Sequence, residues 1–385
     1  MPGRPPPAPF GPPPQGRLPL HTVLVLGAAG TATGAHVRSL AAGLAARGVR
    51  VTVCAPHEAE RRHGFTAAGA HFAAVPGQGG AQALAVLRAV SADADLVHAH
   101  GLRAGALASL ALPARRRVPL VVTWHARGQA EGVRASLTRM LERRVVRAAH
   151  VVLGASTDLV DRARHRGARD ARLAPVAVCD GEAADGTGGG DRAAQSPRHK
   201  ARADLGAVER PLVFALGRPG PHQGHGTLLT AARAWRHLDP QPLVVIAGDG
   251  RGRAALRQRI DEEGLPVRLL DHAEAALRLP AAADVAVLCG RGAARPLGVQ
   301  ETLRAGVPLV AARVGSVREL AGDAAVLVPR GDAEALADAV AALLADPARR
   351  ARLAAAGRAQ AAAWPSEDAT VAQVLSVYDE LARRG

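Results

Sequence analysis

A chain of 385 residues with 48% hydrophobic and 22% charged side chains has globular composition, and its length suits two domains better than one core. Its 3 Trp, 1 Tyr and 4 Phe are too few to build stacking platforms for single-stranded nucleic acid, so the cores must come from Val, Leu and Ala. The net charge of +15 rests almost wholly on arginine, since Lys200 is the single lysine among 49 basic residues. That bias reads either as a composition-driven basic surface or as a face for polyanions.

Residues 1–19 hold nine of the 27 prolines and no apolar period, which predicts an extended, disordered tail. The first strand is the run Thr22-Val23-Leu24-Val25-Leu26, ending at Gly27. A glycine-rich turn follows to Gly34, then a helix over His36–Arg47 with Val37, Leu40, Ala41 and Leu44 on one face. Gly48 closes it and Val49–Cys54 is the next strand; Leu96–His98, Leu120–Thr123 and Val151–Leu153 continue the alternation. This is a doubly wound domain over residues 20–180. Within it, residues 133–149 interleave Arg134, Arg139, Arg143, Arg144 and Arg147 with apolar side chains. Such a helix either packs its apolar face onto the sheet or lies on anionic lipid.

Residues 181–200, centred on Gly188-Gly189-Gly190, carry no apolar period and are expected to be a linker or surface insertion. The alternation then restarts for a second domain over residues 201–364. Its strands are Leu212–Leu216, Leu243–Ala247, Asp284–Leu288 and Leu309–Ala312, with helices at Thr227–Trp235 and Glu334–Leu344. After a break at Trp364-Pro365, residues 365–385 predict an amphipathic helix that packs back toward the first domain, with Val371, Val374, Leu375, Tyr378 and Leu381 on its apolar face. No apolar run reaches 18 residues, and the proline-rich start is unlike a signal segment. Cys54, Cys179 and Cys289 form neither a disulfide framework nor a zinc set. A cytoplasmic protein is expected.

Gly27, Gly30 and Gly34 lie between a strand and a helix, where backbone N–H groups can meet a phosphate; the turn is either such a contact or simply tight. Its spacing is not GxGxxG, and Cys54 stands where a dinucleotide fold would place an acid, which argues against a nicotinamide enzyme. His98, His100 and His125 sit at strand C-termini, where ligands bind in such sheets. No third ligand or acid completes a metal set by spacing, so hydrogen bonding by His100 or His125 is the expected use. In the second domain Arg218 follows a strand and suits a diphosphate, while Glu301, which opens a helix further along, could hold a ribose diol; each could equally be a surface residue.

Taken in order, these motifs resemble the family-4 retaining glycosyltransferases over about residues 21–382. The resemblance rests on the glycine turn, His36-Val37-Arg38-Ser39-Leu40, Val97–Gly101 and Thr123-Trp124-His125 in the first half. In the second it rests on Val213–Arg218, Gly224 with Thr227-Leu228-Leu229, Val244–Gly250, Ala281–Val285, Glu301–Ala311, Glu319-Leu320 and Ala325–Pro329. It implies a GT-B fold: two Rossmann-like α/β domains, each a doubly wound parallel sheet, facing a cleft. It further implies a nucleotide-sugar donor on the second domain, an acceptor on the first, retention of configuration, no cofactor and no metal. Arg218 would then neutralise the leaving diphosphate and Glu301 would hold the ribose. The backbone of Leu297, Gly298 and Val299 would face sugar and phosphate, and Gly30 and Gly34 would approach the diphosphate from the opposite domain. His125 would lie beside acceptor or sugar, with His100 also on the acceptor side. Several relatives use lipid-linked acceptors, which implies peripheral contact with the inner membrane face.

Two positions depart from the pattern. Gln223 replaces a lysine usual before the glycine matching Gly224, and Ala293 replaces a glutamate eight positions before Glu301. Each loss removes a charge beside the donor and predicts reduced turnover. The alternative is a weakened homologue that binds a nucleotide-sugar or a partner without transfer. A nucleic-acid partner is not expected, because no recognition motif is present.

Overall fold

The computed structural model describes residues 19–383 except 28–30, 77–79, 113–117, 127–131, 178–190, 218–219, 221–222, 249, 251, 271–281, 291–296 and 316. In the first half the strands are β1 (His21–Leu26), β2 (Arg50–Ala55), β3 (His71–Ala74), β4 (Leu96–His100), β5 (Leu120–Trp124), β6 (Val151–Gly154) and β7 (Ala171–Leu173). Between them run α1 (Thr31–Ala45), α2 (His57–His63), α3 (Ala81–Val90), α4 (Leu102–Ala111), α5 (Gly132–Ala148) and α6 (Thr157–His165). Helix α7 (Asp191–Asp204) leads into the second half. There, β8 (Leu212–Ala215), β9 (Leu243–Ala247), β10 (Val267–Leu270), β11 (Val285–Leu288), β12 (Leu309–Ala312) and β13 (Ala325–Val328) form the strands. Its helices are α8 (His225–Ala232), α9 (Arg253–Glu263), α10 (Leu297–Arg304), α11 (Val317–Ala321), α12 (Ala333–Ala345) and α13 (Pro347–Ala362), before the final α14 (Glu367–Ala382).

Both sheets are parallel, ordered β3-β2-β1-β4-β5-β6-β7 and β10-β9-β8-β11-β12-β13. The two-domain doubly wound architecture is therefore present. Side chains alternate across each sheet, so successive residues feed opposite cores. Val23 and Val25 enter one core of the first domain, and Leu24 and Leu26 the other. Leu212, Phe214 and Leu216 divide from Val213 and Ala215 in the same way. Burial on both faces explains why these strands read as continuous apolar runs.

Helix α14 belongs to the first domain's packing although it follows the second in sequence. Val371, Val374, Val377, Tyr378 and Leu381 are buried against Val37, Leu40 and Leu44, while Leu375 is only partly buried. The approach is close because Gly43 has no side chain: a Cβ there would lie 2.5 Å from Val371 Cγ2. Ser366 Oγ caps α14 by accepting from Ala369 N, and Glu380 pairs with Arg172 of β7 at 2.7 Å.

The stretch expected to be a linker differs in its second part, because residues 191–200 are helical in α7. They read as linker for want of an apolar stripe. The end of α7 is instead pinned by polar contacts: Arg202 donates to Asp284 (2.9 Å), Ala282 O and Arg210 O. The sequence also gave no sign of β3, β7 and β10 as strands. Each is an edge strand with partly exposed residues, so none shows the continuous apolar run of its neighbours. Cys54 and Cys289 are buried free thiols, and burial pushes both up to about 12. Cys179, residues 1–18 and residues 181–190 lie outside the described residues.

Candidate active site

Winding reverses in each sheet between its two central strands, β1 and β4 in the first, β8 and β11 in the second. At such a switch point the adjoining loops diverge, leaving a crevice outside the strand C-termini where ligands bind. Strand register carries His100 to this edge: it lies beside Leu26 of β1 and Thr123 of β5. His125 follows β5 directly, and His36 reaches the same place from α1. His100 Nδ1 lies 3.2 Å from His125 Nε2, their rings stacked at 5.5 Å, and the His36 ring centroid is 5.5 Å from the first and 5.3 Å from the second. One nitrogen from each of the three can be chosen so that all lie within 4.8 Å of one another.

His98 supports this group from below, its ring centroid 4.3 Å from that of His100. Both of its nitrogens are committed, Nδ1 to Tyr378 Oη at 2.7 Å and Nε2 to Thr123 Oγ1 at 2.6 Å. The chain's last helix thereby braces the first domain's site. Burial pushes His36 down to about 4 and His98 to about 3. Burial, followed by the neighbouring imidazoles, holds His100 and His125 well below the usual range. All four are neutral near pH 7, so the group offers hydrogen bonds or metal lone pairs without net charge. The sequence motif around His36 assigns it no role, because nothing in a helix's own pattern says which strand end its polar face will meet.

Gly34 lies inside α1, where a Cβ would sit 2.2 Å from His63 Nε2. The space left by its missing side chain is therefore taken by the His63 ring.

In the second domain the Gln223-Gly224 turn is pressed against Cys289-Gly290 at the end of β11. A Cβ on Gly224 would lie 2.4 Å from Cys289 O, and one on Gly290 2.5 Å from Gln223 Cα. Backbone cannot yield as a side-chain tip can, and Gly224 also has φ 73°, so glycine is required there twice over. Gln223 lays its amide over Gly217, with Oε1 2.9 Å from where a Cβ of Gly217 would be. Helix α10 begins at Leu297 and is anchored by buried Val299 and Leu303, while a Cβ on Gly298 would stand 3.2 Å from Leu216. That anchoring leaves Glu301 exposed. Partial desolvation raises its carboxyl above the ordinary value, with Arg304 pulling the other way. Gly30, Arg218 and Ala293 lie outside the described residues. Between the halves, Glu319 of α11 accepts from Thr157 N at the start of α6 at 3.0 Å.

Two family models divide the chain at the same place as the sheets. The Glycosyl transferase 4-like domain matches residues 31–179, and Glycosyl transferases group 1 matches residues 197–360. An alpha-D-kanosaminyltransferase of Streptomyces kanamyceticus is 30% identical over 302 residues, 74% of this chain and 77% of that protein. The chain belongs to the family-4 glycosyltransferases. Another relative is the GDP-mannose-dependent alpha-(1-6)-phosphatidylinositol monomannoside mannosyltransferase of Mycolicibacterium smegmatis, 32% identical over 48% of this chain and 53% of that protein. For two curated relatives at 33% and 32% identity, the chain spans 44% and 53% of their length. Among solved structures, Anabaena HepE in complex with UDP superposes with a TM-score of 0.76 at 19% identity, covering 94% of this chain and 100% of that one. The family's GT-B fold is therefore the fold of this member.

Proposed function

We propose that this chain transfers a glycosyl group from a nucleotide-sugar to an acceptor hydroxyl, with retention of configuration and no metal or cofactor in the transfer step. The observation that carries this reading is the family match over both halves, residues 31–179 and 197–360. In this reading the second domain holds the donor: Arg218 neutralises the leaving diphosphate, Glu301 holds the ribose, and the backbone from Leu297 to Val299 faces sugar and phosphate. Gln223 stands at the diphosphate without the charge a lysine would bring. Gly30 approaches from the first domain, and Gly34 does so through its backbone, because the His63 ring fills the space on its other side. His125 and His100 face the acceptor, where neutral imidazoles bind hydroxyls without drawing the donor phosphates away from Arg218.

A thermal-shift screen of nucleoside diphosphates tests the reading most directly. UDP comes first because HepE was crystallised with it, and GDP second because the mycobacterial relative is named for GDP-mannose. A donor nucleotide at 100 times its Kd stabilises by about 2.7 kcal/mol. Finding no shift with any nucleoside diphosphate, together with no donor hydrolysis or transfer, would overturn it.

Glu301 gives the binding a pH signature. It accepts from both hydroxyls of the ribose diol only when ionised, and its raised pKa moves ionisation to higher pH than for an ordinary carboxylate. UDP or GDP affinity should therefore fall on acidification while pH is still above the usual glutamate range. In Glu301→Gln that acid limb should vanish. A limb unchanged in the variant would remove Glu301 from the ribose.

The two departures can be reversed. Gln223→Lys with Ala293→Glu is expected to raise donor hydrolysis or transfer at least about tenfold, ~1.4 kcal/mol of barrier. Kinetics of the double variant check this, and an unchanged rate would show that neither position limits turnover.

The acceptor in this reading is lipid-linked, supported by the name of the mycobacterial relative and by the surface of α5. Leu137 and Met140 are 56% and 65% exposed there, on a helix that also exposes Arg139, Arg143 and Arg144. Among the described residues no helix is long and apolar enough to cross a membrane. The chain should therefore reach its acceptor by lying on the bilayer, through apolar insertion and attraction to anionic headgroups. Co-sedimentation with anionic but not neutral vesicles at low salt is expected, and no pelleting with either ends the idea.

A further inference from the structure

We infer that His36, His100 and His125 form a binding site for a late first-row divalent cation of the zinc type at the switch point of the first sheet. Chain spacing alone offered no third ligand. The fold supplies it from α1, and the three imidazoles converge from three different elements, α1, β4 and the segment after β5. Two nitrogens bound to one tetrahedral ion at ~2.0–2.1 Å stand about 3.3–3.4 Å apart. His100 Nδ1 and His125 Nε2 are already 3.2 Å apart. The widest separation in the group, up to 4.8 Å, needs one ring to turn inward.

The donor set selects the metal. Three imidazoles without a carboxylate suit zinc, cobalt, nickel or copper and not magnesium or calcium, which take oxygen ligands. His100 is 3% exposed, so its ring is held in place by the surrounding packing. His98 is not a ligand, since Tyr378 and Thr123 occupy both its nitrogens; it is a positioning residue beneath His100. His125 is only half-buried, which opens the site to an ion from solvent.

Loading this site removes His100 and His125 from the acceptor. The ion therefore inhibits transfer instead of assisting it. That consequence rests on the proposed transferase activity, whereas the binding itself does not.

The test uses the full chain freed of metal with a chelator. Titration with Co²⁺ should give the visible absorption of a tetrahedral ion, saturating at one equivalent, and Zn²⁺ should displace it. His36→Asn and His125→Asn should each weaken binding at least ~10-fold, while the exposed His237→Asn leaves it unchanged. Should the variants fail to fold, X-ray absorption on the zinc-loaded native chain decides: an imidazole shell of three supports the site, and one or none overturns it. Equal Co²⁺ affinity in native and folded His36→Asn protein overturns it as well. Transfer activity is measured separately. Metal binding without any transfer would count against the transferase reading alone, and transfer without metal binding against this site alone.

Discussion

Replacing Arg218 with alanine is expected to lower the transfer rate by ~10²–10³, the usual cost of removing one preorganised charge from a developing anion. In the proposed reading, breaking the sugar–phosphate bond leaves negative charge on the diphosphate, and the Arg218 guanidinium would meet it with two parallel hydrogen bonds. The neighbouring position cannot compensate, because Gln223 is uncharged and its amide lies over Gly217. The effect should be selective: nucleoside-diphosphate affinity drops more than nucleoside affinity, read by calorimetry with UDP and uridine or GDP and guanosine. Equal losses for both ligands would mean that Arg218 supports the fold and does not touch phosphate.

Glu142→Ala is expected to destabilise the first domain by about 3 kcal/mol or more. Glu142 is 3% exposed in α5, where its Oε1 accepts from Arg162 Nε and Nη2 at 3.0 and 2.7 Å and its Oε2 from Arg166 Nε at 2.8 Å. Arg162 lies in the last turn of α6 and Arg166 follows its last residue, so one carboxylate fastens two helices. Removing it leaves two largely buried cations facing each other without a counter-charge, which costs more than the pair contributes over an apolar replacement. Glu142→Gln keeps an acceptor and should lose less. Urea unfolding followed by a probe in the first domain measures both. A loss under about 0.5 kcal/mol for the alanine variant, the size typical of exposed pairs, would show the pair to be hydrated.

The same α5–α6 clasp bears on membrane docking. With Glu142 and Val145 turned inward, the opposite surface of α5 is left to carry Leu137 and Met140. The sequence displayed the mixture of arginine and apolar residues, but only packing decides which of those apolar residues stay outside.

How far the fold was legible follows from burial. The central strands β1, β2, β4, β5 and β6, and β8, β9, β11 and β12, were readable because both faces are covered and most positions are apolar. The edge strands β3, β7 and β10 were not, because one side of an edge meets solvent and its residues are mixed. Helix α7 was invisible for a related reason, being held by Arg202 and its polar partners.

The site divides along the same line. His100 and His125 stood out in the sequence as candidates, since each ends or follows a strand and a parallel sheet presents its C-terminal edge to ligands. The glycines at 217, 224 and 290 were visible as letters, yet the backbone contact that demands Gly224 and Gly290 exists only once β8 and β11 are neighbours. The sequence by itself determined two doubly wound sheets, their central strands and the family. Tertiary structure alone decided that α14 returns to brace His98 through Tyr378 and that α1 delivers His36 to His100 and His125. Local periodicity records which face of a helix is apolar. It carries no information about which distant strand end the few polar positions on that face will meet, because that is fixed by strand order and by the packing of helices across the sheet.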